Sequence, residues 1–456
     1  MLLIILAHMG LVSLGQWQGD DYDYAAGLRD QGVAFAWHRL TTDTPRPFSE
    51  TLLFFYAAAV DRLHRPLIGT FLSLCWAILL LGCGARLILR PQGRLVPRLL
   101  LAFSLASLFL LGHPLADMLY WPVGAAAYAP TVAALCFLLI HILDDGLATA
   151  AGRAIAAAAL IVAVTSSEMG AFVGLGFTTT MLLARVRRPR QPVAWLLVPL
   201  ILSLCVFAVT ALNGRAAGAP TLASPTGHHL LASLRAAVPQ TLRAMAMIDR
   251  NDGDWGQQGA GSLALGIPLK LLLLAAFLLT ARRCFGRIPR WPLIALILAL
   301  LFGMFASLFA ADYQFGFQCC QRHEAVRQCF MILVLLASAC LTAPAPRDAQ
   351  GHVLAGLLCL TLAIAPMAVW RLPDLVAAYQ GTQASEISLH ETWQSGLAAG
   401  PTAIITQQPA TLLTHAWTFP PGQHWLSATQ PYDVRSIMRF FKDDEVTVLP
   451  SRHLLR

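Results

Sequence analysis

The chain has 456 residues, of which 57% are hydrophobic and only 12% are charged. A typical soluble domain carries about 25% charged residues, so a soluble chain of this length could not bury so much apolar surface. The net charge of +8 does not indicate nucleic-acid binding, because arginines cluster in short loops between apolar runs, as they do in cytoplasmic loops of membrane proteins.

The apolar runs predict an all-α polytopic membrane protein with about eleven transmembrane helices. The longest runs approach the roughly 20 residues that a helix needs to cross about 30 Å of hydrocarbon. We place the arginine clusters at 86–98, 185–190 and 282–290 in the cytoplasm, so the N-terminus lies inside and the tail outside. In chain order, the predicted helices are 1–15, 67–89, 99–112, 129–143, two short helices within 154–184, 193–211, 262–281, 292–310, 329–343 and 353–370.

Residues 154–184 are too long for one crossing and short for two. A single crossing would move the arginine cluster at 185–190 to the outside, whereas a hairpin that turns near 166–170 keeps it inside. The sequence therefore predicts a hairpin of two short helices.

Two domains are predicted, a transmembrane domain over 1–370 and a small exterior α/β domain over 371–456. The first exterior loop, which reaches about residue 66, carries amphipathic stretches that predict interfacial helices. In the tail, strand-like runs at 402–406 and 445–449 flank a helical run at 434–442.

Under this topology, unusual polar residues collect on the exterior side. Asp20, Asp21 and Tyr22 directly follow the first helix, where acidic residues have no obvious packing role. The alternative interpretation is a helix N-cap with acids in the first turn.

A second group follows the third predicted helix. His113 and Asp117 are four residues apart, so on a helix they share a face and could bind a metal or a sugar hydroxyl. The aromatic residues Tyr120, Trp121 and Tyr128 come next. Because Trp and Tyr are common at membrane interfaces, an aromatic belt is the alternative interpretation.

The remaining candidates are charged residues near helix ends. Glu168 lies at the tip of the predicted hairpin, where an acid is costly unless it is paired or hydrated. Arg322, His323 and Arg327 precede the tenth helix, and two guanidinium groups there suit a phosphate, a lipid headgroup or a partner acid. Lys270 either extends towards the interface or neutralises a lipid phosphate.

A short first helix, an acidic pair followed by Tyr and then interfacial helices and many spans resemble the GT-C class of integral membrane glycosyltransferases. The resemblance implies a GT-C-like bundle with Asp20 at the catalytic position and Asp21 as its acidic neighbour. The loop 120–128, the hairpin with Glu168 and the tail 392–450 look like a poorly characterised bacterial branch of the class. The large sugar-binding ectodomain of some members is missing, which leaves the acceptor open.

The resemblance implies transfer of a sugar from a polyprenyl-phosphate-linked donor to a glycan, lipid or protein acceptor on the periplasmic face of the bacterial inner membrane. Asp20 would be the general base of an inverting reaction, with Arg322, Arg327 or Lys270 on the donor phosphate. Tyr120, Trp121 and Tyr128 would stack on the sugar. The full set of residues expected to bind substrate is Tyr22, His113, Asp117, Tyr120, Trp121, Tyr128, Glu168, Lys270, Arg322, His323 and Arg327.

The sequence carries no nucleotide-binding loop and no His-Glu-x-x-His metal helix. It requires no cofactor, and use of a divalent metal is left open. Two alternative functions remain at this point. One is a polymerase or ligase of lipid-linked glycans, and the other is a transporter or flippase, which should carry acids at the centre of the bilayer.

Overall fold

The computed structural model describes most of the chain and is predominantly helical. The described residues are 1–89, 95–111, 115–187, 192–216, 229–246, 260–285, 288–315, 321–342, 350–381, 392–394, 397, 402–406, 424–426, 432–442 and 445–449. The helices are α1 Leu2–Met9, α2 Gly19–Gln31, α3 Val33–His38, α4 Pro47–Leu63, α5 Ile68–Leu89, α6 Leu95–Leu110, α7 Pro122–Leu143, α8 Ala150–Ser166, α9 Glu168–Arg187, α10 Leu197–Ala216, α11 Leu230–Ala246, α12 Ala260–Cys284, α13 Arg290–Phe315, α14 Gln321–Thr342, α15 Gln350–Gln380 and α16 Tyr432–Phe441.

Among the described residues, six helices are long and apolar enough to cross a bilayer. These six segments are Ile68–Ile88, Pro122–Leu143, Ala194–Leu212, Arg290–Gln314, His323–Thr342 and Ala355–Gln380. A seventh candidate is the pair Leu2–Leu14 and Gly19–Gln31, which is bent by 51°. The architecture is therefore that of a multi-pass α-helical membrane protein, and the number of eleven crossings stays a prediction.

Helix α7 is the centre of the bundle, because nearly all of its residues are buried. It packs against α5, α8 and α14. The α5 backbone comes close because Gly82 has no side chain, and a Cβ there would lie only 2.6 Å from the Ala133 Cα atom of α7. Small residues at such crossings let helices approach closely in membranes.

Helices α8 and α9 are separated by the single residue Ser167, which has an extended backbone. A side chain at Gly174 would collide with Val164, although the two positions would be about 15 Å apart in one continuous helix. The chain therefore folds back at Ser167, inside the turn that the sequence predicted. Whether each half crosses the bilayer stays a prediction.

The described parts of the tail contain helix α16 and three short strands. Strand β1 (Thr402–Thr406) pairs in parallel with β3 (Glu445–Leu449), and β2 (His424–Leu426) pairs antiparallel with the other side of β3. Helix α16 packs on α2, the helix that carries Asp20. The division into domains 1–370 and 371–456 stays a prediction.

Candidate functional site

The two acids that open α2 have different environments. Asp21 is buried, and its Oδ2 accepts hydrogen bonds from the Gln18 backbone N–H at 2.8 Å and from the Trp121 indole N–H at 2.5 Å. Asp21 and Gln18 together form a capping box at the start of the helix. Asp20 is only half-buried. The alternative interpretation, acids in the first turn of a helix, thus describes both residues, but only Asp21 is part of the capping box, and Asp20 is the more accessible of the two.

An arginine–glutamate pair, with Glu50 buried and Arg39 partly buried, lies within electrostatic range of Asp20. The Arg39 guanidinium donates to the Glu50 carboxylate, with its Nε 3.2 Å from Oε2, and lies 5.1 Å from the centre of the Tyr24 ring. Burial alone would lower the pKa of Arg39, but the negative charge of Glu50, to which Asp20 adds, raises that pKa above its ordinary value. Arg39 therefore stays charged within electrostatic range of Asp20.

A second ion pair joins the loop before α4 to the break of the hairpin. Arg46 Nε lies 2.8 and 2.7 Å from the two carboxylate oxygens of Glu168, and its Nη2 lies 2.6 Å from Oε2. Burial would lower the pKa of Arg46, but the charge and hydrogen bonds of Glu168, with electrostatic contributions from Tyr128 and Glu50, together raise that pKa above its ordinary value. Glu168 was expected to be either paired or hydrated, and the sequence did not indicate which residue would pair with it.

Tyr128 extends this arrangement from α7 to α14. Its ring centre lies 5.9 Å from the Arg46 guanidinium, and its hydroxyl lies 3.1 Å from His323 Nε2. We call the connected set the charge network, and it links four separate segments of the chain. Its members are Asp20, Arg39, Glu50, Arg46, Glu168, Tyr128 and His323.

Three members of the charge network, Arg39, Arg46 and Glu50, were not among the predicted site residues. All three lie in the predicted exterior loop: Arg39 and Arg46 precede α4, and Glu50 is in the first turn of α4. The available signal was the alternation of basic and acidic residues in an amphipathic stretch of a chain with few charges.

The predicted aromatic platform for a sugar does not form. Tyr120, Trp121 and Tyr128 are 0%, 2% and 1% exposed, so none of them offers a ring face on which a sugar could stack. Tyr120 instead bonds the His8 ring nitrogen at 2.8 Å, while Trp121 holds Asp21. Tyr120 and Trp121 directly precede α7 and Tyr128 is part of it, so all three lie at the buried centre of the bundle. Their contacts are with neighbouring protein groups.

Tyr22 is also covered, in this case by the tail. Its ring packs against Trp17, Phe440 and Phe441, with centroids 5.0 to 5.8 Å apart. Arg439 of the same tail helix pairs with two acids of α2. These contacts place the tail over one side of α2, and they leave Tyr22 without a substrate-facing surface.

The predicted phosphate ligands largely have protein partners. Arg327 is 2% exposed and pairs with Glu324 at 3.0 Å, which matches the alternative interpretation of a partner for an acid. Lys270 donates to the Met245 carbonyl at 2.6 Å, at the end of α11. The Arg322 side chain lies outside the described residues. Arg327 is therefore not an open phosphate ligand in this structure.

The predicted pair of His113 and Asp117 can be followed only in part. His113 lies outside the described residues, and Asp117 is buried in a turn of π-helix, Ala116–Tyr120, that precedes α7. Within the described residues, no group of three or more His, Cys, Asp or Glu side chains could hold a metal ion.

Comparisons with family models, with curated proteins and with solved structures find no match for this chain. The resemblance to the GT-C class consequently depends on the motif around Asp20 and on the order of the helices.

Proposed function

We propose that this chain is a GT-C-like membrane glycosyltransferase with Asp20 as its general base. The supporting observation is the division within the acidic pair. Asp21 is buried and holds the start of α2, whereas Asp20 is half-buried next to the cationic Arg39. A base needs access to an incoming hydroxyl, and only Asp20 of the two has it.

In the proposed reaction, the acceptor hydroxyl oxygen attacks the anomeric carbon of a polyprenyl-phosphate-linked sugar. The bond from that carbon to the phosphate oxygen breaks, and the polyprenyl phosphate leaves with the electron pair. The Asp20 carboxylate takes the hydroxyl proton as attack proceeds, and the configuration inverts. The acceptor is a glycan, a lipid or a protein.

Arg39 replaces Arg327 as the cation that we assign to the departing phosphate. It lies within electrostatic range of Asp20, and a guanidinium carries five N–H donors, so an arginine that holds Glu50 can also contact a phosphate. A preorganised cation stabilises the charge that develops as the phosphate leaves. Arg322 remains a candidate for the same role.

For topology, we propose that the segment Leu2–Leu14 and four shorter apolar helices also cross the bacterial inner membrane. The shorter helices are Val96–Leu110, Ala150–Ser166, Glu168–Ala184 and Leu265–Thr280. Together with the six long helices, they bring the number of crossings to the predicted eleven. Asp20 and the tail, 371–456, would then face the periplasm.

The distribution of acids favours an enzyme over a transporter. In the described helices, the buried acids Asp144, Asp312 and Glu324 lie at or near helix ends and not at helix centres. A transporter that couples to protons or ions should carry acids near the bilayer midplane. Among the described helices, buried acids at helix ends agree better with chemistry at a membrane surface than with transport through the midplane.

The test compares Asp20→Asn with Asp21→Asn in membranes from cells that express both variants at matched levels. General-base catalysis is typically worth about 10²- to 10⁴-fold in rate, so Asp20→Asn should slow transfer of labelled sugar from endogenous lipid carriers by that factor. Asp21→Asn should lower the free energy of unfolding, and it should lower the transfer rate less than Asp20→Asn does. Transfer by Asp20→Asn at the parental rate would eliminate this mechanism.

A further inference from the structure

A polar cavity of about 540 Å³ lies at the end of the bundle opposite Asp20. Helix α7 begins next to Trp121, which bonds Asp21, and its 22 residues extend about 33 Å before the cavity residue Asp145. The cavity walls also include the starts of α8, α10 and α13. It is thus separate from the charge network by the length of a membrane-spanning helix.

Two arginines and one acid give the cavity its charge. Arg153 from α8 and Arg290 from α13 line it, together with Asp145. Arg153 Nη1 donates to the carbonyls of Leu147 and Ala148 at 3.1 and 3.3 Å, which fixes the guanidinium at the wall. The neighbouring acid, Asp144, is already paired with Arg86 at 3.0 Å. The lining therefore carries one positive charge in excess.

Two tryptophans complete the wall. Trp195 is held by a hydrogen bond from its indole N–H to the Pro192 carbonyl at 3.1 Å, and Trp291 lies next to Arg290 in the chain. Indole rings concentrate at the boundary between lipid and water, where one edge is apolar and the other is wet. Their presence agrees with a position of the cavity at the level of lipid headgroups.

The sequence carries further positive charge next to two of the segments that line this cavity. Seven arginines lie within a few positions of lining residues in the sequence, and their side chains lie outside the described residues. The arginines are Arg185, Arg187, Arg188, Arg190, Arg282, Arg283 and Arg287. Such a density of basic residues beside a membrane attracts anionic lipids.

We propose that this cavity binds the phosphate-bearing headgroup of an anionic phospholipid. Planar guanidinium groups match the geometry of phosphate oxygens, and Arg153 and Arg290 provide two of them. The volume lies within the range of small-molecule sites, which is about 300–1,000 Å³. A lipid is favoured over a free phosphate compound because the tryptophans offer an apolar boundary next to the cations.

The experiment uses the purified full-length protein in detergent, titrated with phosphatidylglycerol or with phosphatidylcholine of the same acyl chains. Bound lipid is counted by native mass spectrometry. Arg290→Gln should weaken phosphatidylglycerol binding about tenfold, the effect of one lost charged hydrogen bond. Asp145→Asn removes the opposing charge and should strengthen binding. Arg65→Gln, an exposed arginine near the other end of the bundle, is the matched control and should change nothing.

Three results would overturn the proposal. The first is equal binding of the two lipids, and the second is an Arg290→Gln variant with parental affinity. The third is displacement of phosphatidylglycerol by millimolar inorganic phosphate, which would identify a soluble phosphate compound as the ligand. Arg153 is not replaced, because it also holds two backbone carbonyls and its loss can disturb folding. The gain in binding expected from Asp145→Asn provides the check that is independent of Arg290→Gln. None of these measurements depends on sugar transfer.

Discussion

The Arg46 guanidinium holds the Glu168 carboxylate through contacts of 2.6 to 2.8 Å, although the two residues are 122 positions apart in the chain. The pair connects the first polar loop to the turn between α8 and α9. The Arg46 guanidinium also lies over the Tyr128 ring of α7. Since Arg46 directly precedes α4, it connects the start of α4 to both α7 and the hairpin. We expect the pair to be the main polar interaction between the helices at this end of the bundle.

Breaking the pair should destabilise the protein. Removing one partner of a buried ion pair costs about 3–5 kcal/mol, and an exposed pair is worth about 0.2–1 kcal/mol. The side chains of Arg46 and Glu168 are 15% and 21% exposed, so we expect Glu168→Gln to lower the free energy of unfolding by about 2 kcal/mol. Thermal unfolding in detergent measures this loss.

The control is Arg62→Gln, which removes an exposed arginine from α4 and should leave unfolding unchanged. The double variant Arg46→Glu, Glu168→Arg restores opposite charges and should recover part of the lost stability. The comparison is with the single variants Arg46→Glu and Glu168→Arg. A double variant that is less stable than both of them would mean that the two residues act independently.

The indole of Trp121 should matter because it donates one of the two hydrogen bonds that Asp21 Oδ2 accepts. Replacing it with Phe keeps the ring but leaves a buried carboxylate oxygen without this donor, which costs about 1–3 kcal/mol. Trp121→Phe should therefore lower the unfolding temperature, whereas Trp37→Phe, at a side chain that is 67% exposed, should not. Equal effects of the two variants would show that the hydrogen bond contributes little.

The sequence predicted the features that depend on neighbouring residues. The turn at Ser167 was predicted from the arginine cluster that follows it at 185–190, and the start of a helix at the acidic pair was the alternative interpretation of those acids. The pairing of Arg46 with Glu168 and the complete burial of Tyr120 depend on how distant helices pack. A hydrophobicity pattern ranks residues by burial but does not say which partner lies across a helix interface.

Close packing of α5 on α7 gives a sharp prediction from two glycines on one helix. A Cβ at Gly82 would lie 2.5 to 2.7 Å from three Ala133 atoms, two of them backbone, whereas one at Gly84 would meet only side-chain atoms at 3.3 Å or more. Gly82→Ala should therefore destabilise by about 1–3 kcal/mol through overpacking. Gly84→Ala should be neutral or gain up to about 1 kcal/mol from the reduced entropy of the unfolded chain. Reversed effects on unfolding temperature would contradict this packing.

The docking of the tail helix on α2 should control the position of Asp20. Arg439 pairs with Asp23 at 3.1 Å and with Asp30 at 3.2 Å, and Arg29 of α2 donates to the Arg439 carbonyl at 2.9 Å. These acids belong to the same short helix as Asp20. A tail that detaches from α2 should therefore allow Asp20 to shift away from its position.

Arg439→Ala should speed proteolysis of the tail and weaken sugar transfer by a few-fold, because each partly exposed pair is worth about 0.2–1 kcal/mol. Arg435→Ala removes an exposed arginine from the same helix and should change neither. Limited proteolysis and transfer are measured on the same membrane preparations, in low and in high salt, since salt screens exposed ion pairs. High salt should reduce the difference between Arg439→Ala and the parent. If Arg439→Ala releases the tail but transfer stays at the parental rate, then α2 holds Asp20 without help from the tail.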